Sequence, residues 1–160
     1  MKIDTTALAA QPFLKGMPAW QLELLIDDAM AAEFKEDELI FWEGGPANRF
    51  YLLLSGEVAV ESPGEARDDG SRPVRIETIG PGSVLGWSWL FPPYHWHFNA
   101  RAVSPVKAIF FYGTRLRERC ESDHELGYEL MKRMTAVIIE RLQATRHRLA
   151  EHTLNLDQPV

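Results

Sequence analysis

The 160-residue chain is short of cysteine, of excess positive charge and of long apolar runs. Its single cysteine, Cys120, can form no internal disulfide and cannot build a Cys-cluster metal site. A reducing, cytoplasmic compartment is therefore expected. Lysine and arginine number 17 against 23 acidic residues, a net charge of −6. The chain as a whole is thus not built for a polyanion, whose affinity comes chiefly from clustered cations. No apolar stretch approaches the ~18 residues that a membrane-spanning helix needs. The first ten residues, with Asp4 early and no apolar core, do not read as a signal peptide. There is no Gly-rich phosphate loop ahead of a helix, no nucleophile elbow and no metal-ligand spacing. No enzyme activity, no metal and no cofactor are expected.

What is present is enough apolar sequence, 46%, to fill the core of one domain. Aromatic residues are its odd feature. Three of the five tryptophans lie between positions 87 and 96, and residues 86–98 hold Trp87, Trp89, Phe91, Tyr94, Trp96 and Phe98. Charge is unevenly spread as well. Residues 1–113 carry nine cations against fifteen acids, and residues 114–152 carry eight against seven.

The chain reads in three parts. Pro18 and the spacing of Trp20, Leu24, Ile26 and Met30 predict an amphipathic helix over 18–33. From 39 to 112 the texture is that of short strands: 39–42, 50–54, 57–61, 74–79, 84–91, 97–103 and 106–112, punctuated by Gly and Pro. Residues 62–73, polar and rich in Gly and Pro, predict an exposed hairpin loop. Many short strands at this spacing mean a sandwich or a barrel-like roll. A short helix over 114–120 and a long amphipathic one over 123–152 follow, with 153–160 as a flexible tail. The fold class is α+β, an antiparallel, jelly-roll-like β-roll between a short N-terminal helix and a long C-terminal one.

Within this order stand Leu39-Ile40-Phe41-Trp42-Glu43-Gly44 and Phe50-Tyr51-Leu52-Leu53-Leu54-Ser55-Gly56-Glu57-Val58. With them the chain resembles the cyclic-nucleotide-binding domain, the effector module of catabolite-activator-type regulators and of cyclic-nucleotide-dependent kinase subunits. Gly80-Pro81-Gly82-Ser83-Val84-Leu85-Gly86 and Ala100-Arg101-Ala102 follow at the family's spacing, so that residues 12–150 are covered. The resemblance implies a phosphate-binding cassette after Gly86, where binders carry a Glu for the ribose and, about ten residues on, an Arg for the cyclic phosphate. Here Trp87 stands at the Glu position and Trp96, with His97 beside it, at the Arg position. Arg101 belongs to the following strand, and Pro92-Pro93 cuts short the helix that would cradle the phosphate. Cyclic AMP or cyclic GMP binding in the usual mode is not expected.

Two readings of the aromatic segment stand side by side: rings that fill the nucleotide site as core, or an aromatic pocket for a planar or apolar ligand. The residues of the candidate pocket are Leu85, Gly86, Trp87, Ser88, Trp89, Trp96, His97, Asn99 and Arg101, with His95 as a further orienting group. His95 and His97 alone are too few to seat a metal. Cys120, beside Arg117 and Arg119, reads as an ordinary thiol. The long helix carries Leu130, Met134, Val137, Ile138, Leu142 and Leu149. In the family this helix is the dimer interface, so the stripe implies a homodimer. The basic end of the helix, Arg141 with Arg146, His147 and Arg148, reads as solvated charge suited to the helix macrodipole. The expectation is a stand-alone, dimeric sensor or interaction module. It has no DNA-binding output domain of its own and contacts neither DNA nor membrane. It signals to a separate output protein, with a small molecule as its ligand. The alternatives are a true cyclic AMP or cyclic GMP receptor and an aromatic pocket re-specialised for another ligand.

Overall fold

Asp4 opens the first helix by accepting the backbone N–H of Ala7 at 2.8 Å. In a computed structural model, which describes residues 3–62 and 74–156, this cap starts α1 (Thr5–Ala9). A single 3₁₀ turn (Pro12–Leu14) leads to α2 (Ala19–Ile26), which buries Leu22 and Leu25. The helix expected over 18–33 therefore ends seven residues early, and Met30–Phe34 forms strand β1 instead. Its burial alternates, with Ala32 and Phe34 half-buried against Ala31 and Glu33 exposed, and Met30 to Phe34 pair in register with Phe110 to Val106. Full pairing in a sheet outweighs the local helical spacing of the apolar residues.

The strands that follow are β2 (Leu39–Phe41), β3 (Arg49–Ser55), β4 (Val58–Ser62), β5 (Val74–Ile79), β6 (Val84–Leu85), β7 (Asn99–Ala102) and β8 (Val106–Tyr112). They form two four-stranded antiparallel sheets in the orders β1-β8-β3-β6 and β2-β7-β4-β5. The strand expected over 84–91 shrinks to two residues, because Gly86 turns the chain and Ser88–Leu90 coil into a 3₁₀ turn. β4 and β5 are the two arms of a hairpin. Apart from Ser62, the loop expected over 62–73 lies outside the described residues.

The sheet containing β3 and β8 is covered on both faces, which explains their unbroken apolar runs. Phe50, Leu52, Ile109 and Phe111 face a core shared with the helices. Tyr51, Leu53, Ala108 and Phe110 face the core between the two sheets. At the β3–β4 turn, Gly56 has φ +85°, and a Cβ there would lie 2.1 Å from the Pro105 carbonyl oxygen, so only glycine fits.

α3 (Gly113–Ser122) and α4 (His124–Leu156) close the helical layer. The helix runs past the expected boundary at 152, and residues 157–160 of the expected tail lie outside the described residues. α4 is tied along its own roll. Leu126, Leu130 and Met134 enter the helix-side core. Arg133 Nη1 donates to the carbonyls of Phe13 and Lys15, both at 2.8 Å, and Arg148 reaches Glu77 on β5 at 3.2 Å.

Asp28 joins α2 to α3. Its side chain is only 3% exposed and accepts from Arg119 Nε at 2.7 Å and Arg115 Nη2 at 3.1 Å. Burial pushes the carboxyl pKa up, but the hydrogen bonds and charges of Arg119 and Arg115 outweigh it and hold the group below its usual range. A depressed folded-state value means stability that is present above the unfolded carboxyl pKa of ~3.9 and is lost as pH falls from there through the lower folded value. Asp28→Ala is expected to cost about 1.5–3 kcal/mol in urea unfolding near neutral pH. The deficit should vanish progressively below about pH 4, where wild type also loses the pairing.

Candidate functional site

Gly86 sets the site. Its φ is +91°, and a Cβ there would meet the Trp96 ring at 2.6 and 2.7 Å. The edge of Trp96 therefore lies directly over the turn that opens the cassette. The indole is 3% exposed and stacks on Phe41 of β2 with centroids 3.9 Å apart and planes 11° from parallel. Its backbone is fixed too. Trp96 N–H donates to the Gly45 carbonyl at 3.0 Å, and the Trp96 carbonyl accepts from Gly44 at 2.8 Å. The neighbouring Tyr94 carbonyl accepts from Ala47 at 2.7 Å. Residues 94–96 are thus laced to the β2–β3 loop, and the ring is driven into the inter-sheet core.

The other expected pocket residues do not converge on one cavity. Trp89, 1% exposed, goes into the helix-side core against Phe50, with its Nε1 unpartnered. Leu85 is fully buried between the sheets, and Ser88 is buried on the 3₁₀ turn. Asn99 Oδ1 caps the loop by accepting from the Glu43 backbone N–H at 2.8 Å. Arg101 is committed to Glu61 at 3.0 Å and to the Asp37 carbonyl at 2.9 Å. His95 and His97 are exposed. Of the two readings of the aromatic segment, this arrangement favours rings used as core: alternation along β7 and the turn at Gly86 send neighbours to opposite sides. Among the described residues no group of three or more His, Cys, Asp or Glu is placed to hold a metal.

Trp87, half-buried, meets a partner that sequence reasoning missed as part of the site. The Arg141 guanidinium of α4 lies 4.9 Å from its ring centroid and donates to the Val84 carbonyl, while Phe98 packs edge-on to the same indole at 6.2 Å. Burial pulls the Arg141 pKa below the usual guanidinium value, against the pull of Glu77 and Glu140. Arg141 forms no ion pair among the described residues. Its signal was positional: Leu130, Met134, Val137, Arg141 and Arg148 follow one another by three, four or seven, so the cations continue the inward stripe. Between α4 and the roll lies a crevice of about 430 Å³, lined by Pro12, Phe13, Gly82, Ser83, Val137 and Arg141 among others. At Cys120 burial, then the charges of Glu121 and Asp123, push the thiol up to about 11, which disfavours the thiolate.

The stripe expected to pair two helices divides in the same way. Leu130 and Met134 are buried in the chain's own core and Val137 packs against it. Leu142 and Leu149 are exposed, together with Met131, Ile139 and Leu154, while Ile138 is half-buried.

The family model for the cyclic nucleotide-binding domain matches residues 31–123. Over 144 residues, 90% of this chain, the sequence is 25% identical to a CRP-like cAMP-activated global transcriptional regulator of Mycobacterium tuberculosis. The chain spans 61% of the length of that relative. A Geobacter metallireducens structure assigned to the cyclic nucleotide-binding proteins superposes with a TM-score of 0.76 at 29% identity, covering 88% of this chain and 98% of that one. A cyclic nucleotide-binding domain from Methylobacillus flagellatus gives 0.75 at 17% identity, covering 85% and 74%, a likeness of fold.

Trp96→Ala is expected to cost about 3–5 kcal/mol in denaturant unfolding, as for other buried rings. Gly86→Ala is also expected to destabilise, through the clash with Trp96 and the left-handed backbone. In the Trp96→Ala background only the backbone part, about 1–2 kcal/mol, should remain. A double-mutant cycle reads that coupling directly.

Proposed function

Because the chain belongs to the cyclic nucleotide-binding domain family, we propose that it is a regulatory module whose cassette does not take cyclic AMP or cyclic GMP in the family's usual way. The observation that carries this reading is Trp96, stacked on Phe41 and seated over Gly86 where the resemblance calls for the phosphate cation. A cyclic phosphate placed there would be stripped of water with no cation to meet it, a cost of several kcal/mol. Arg101, the one Arg or Lys within 85–101, is already paired with Glu61.

The route from site to output runs through α4. Arg141 rests on Trp87 at one end and is rooted in the helix at the other, so the cassette and α4 move together. A ligand entering the crevice between α4 and the roll would displace that guanidinium and tilt the helix. The exposed residues Met131, Ile139, Leu142 and Leu149 supply an apolar face for a second copy, making the module a homodimer that passes its signal to a separate protein. Among the described residues no helix is long and apolar enough to cross a membrane. The module is non-catalytic in this reading, with binding as its whole chemistry.

The competing reading is a working cyclic AMP receptor, and it draws on the cAMP-activated relative at 25% identity. Titration calorimetry separates the two. No saturable heat is expected with cyclic AMP or cyclic GMP into the millimolar range, and micromolar binding of either would sink the proposal. For the dimer, light scattering at micromolar protein should give twice the chain mass of 18.2 kDa. Leu142→Asp and Leu149→Asp, both on the exposed face, should return the monomer mass with thermal unfolding of the roll retained. A monomeric wild type would refute the interface.

A further inference from the structure

Beyond the cassette, the loop that fixes Trp96 encloses a second cavity. It has a volume of about 260 Å³ and lies between β2, the β2–β3 loop and β3. Four aromatic residues line it, Phe41, Trp42, Tyr51 and Trp96, together with Asn48 and Arg49, and no carboxylate is among its lining residues. Trp42 is 55% exposed and forms the outer wall of the cavity. Its ring lies across Gly45, where a Cβ would come within 2.8 Å of it, so the bare glycine backbone is what lets the indole cover the loop.

Arg49 supplies the charge. Its guanidinium sits 4.5 Å from the Phe110 ring centroid and 5.4 Å from that of Tyr112, a platform that orients it beside the Tyr51 hydroxyl, with which it also hydrogen-bonds. It forms no ion pair among the described residues. Tyr51 beside it is kept neutral, since burial pushes its phenol up despite the opposing charge of Arg49. Aromatic walls, one oriented cation and an adjacent side-chain amide are the elements of a site for a flat molecule bearing one negative charge. The size restricts the class further, since the cavity lies below the roughly 300–1,000 Å³ of drug-sized pockets.

We propose that this cavity binds a small planar anion, an aromatic carboxylate of one or two rings, with the ring among Trp42, Phe41 and Trp96 and the carboxylate on Arg49. The proposal rests on the filled-cassette reading only in that it needs Trp96 where it stands.

The test titrates the full chain with benzoate and indole-3-acetate, with benzamide and indole-3-acetamide as uncharged counterparts and cyclic AMP as a third arm. The indole N–H signals of the five tryptophans are followed by NMR. Saturable shifts are expected at Trp42 and Trp96, with the acids bound at least tenfold more tightly than the amides. Arg49→Gln should bring acid affinity down to that of the amide while leaving the amide unchanged. Arg49→Lys should keep part of the preference. Equal binding of acid and amide by wild type, shifts confined to Trp20, Trp87 and Trp89, or an Arg49→Gln variant with the preference intact would each overturn the proposal. Saturable displacement of Trp96 by cyclic AMP would overturn the filled-cassette reading instead, and the acid–amide comparison would still decide this one.

Discussion

The contact on which the site depends is the stack of Trp96 on Phe41 over Gly86. Three separate features make sense only because of it. Gly86 must be a glycine twice over, for its left-handed backbone and for the ring lying on it. The 94–96 segment must be laced to residues 44–47, since an unanchored loop could not hold an indole in the inter-sheet core. The small residues across β7, Ala100 and Ala102, are fully buried and leave room in that core for the large rings of Phe41 and Trp96. A side chain that buries on the order of 200 Å² is therefore part of the core and part of the site at once.

The roll and its long helix are joined by arginines more than by leucines. Arg133, Arg141 and Arg148 each send a guanidinium from α4 to backbone carbonyls of the N-terminal segment, β6 and β5 respectively. Carbonyls at the ends of turns and strand edges need donors, and a long side chain from a helix one layer away can reach them. Such contacts hold the helix in register yet are weaker and more easily exchanged than a packed apolar seam. The apolar seam itself is confined to the first three turns of α4, through Leu126, Leu130 and Met134. Beyond Val137 the helix is held mainly by charge. A helix anchored firmly at one end and lightly at the other is suited to tilt about the firm end.

Much of this was legible in the sequence, and the failures share one cause. The roll could be read from short apolar runs between Gly and Pro, and the altered cassette from the spacing of Gly86, Trp87, Trp96 and Arg101, because turns and motif distances are local properties. The stretch 30–34 was misread because Met30 continues a helical spacing, while its fate is decided by pairing with β8 nearly eighty residues away. Which residues of 85–101 share a core was not legible for the same reason: strand parity and the turn at Gly86, not proximity in sequence, decide which core a ring enters. Arg141 was read as a solvated helix end, since an apolar pattern gives no weight to a cation on the buried stripe. Yet its spacing from Val137 and Met134 was visible throughout.

The two tryptophans that replace the expected Glu and Arg are best understood as one change. An arginine buried at position 96 without a bound phosphate would be a desolvated, unpaired charge, and an indole of similar reach carries no such cost. Once the cation is gone, a carboxylate at 87 would have no anionic ligand to orient and would draw Arg141 into an ion pair. With tryptophan there instead, Arg141 keeps a partner, but the attraction is to a ring face. In the resembled family, cassette and helix communicate through a charged ligand. In this chain the same gap is crossed by the protein's own side chains: Trp96 fills the floor, Trp87 faces outward from it, and Arg141 lies on Trp87. The link between roll and helix is therefore built into the fold, and in the reading proposed above regulation acts by disturbing that link, with Trp96 in place of the cation that a charged ligand would meet.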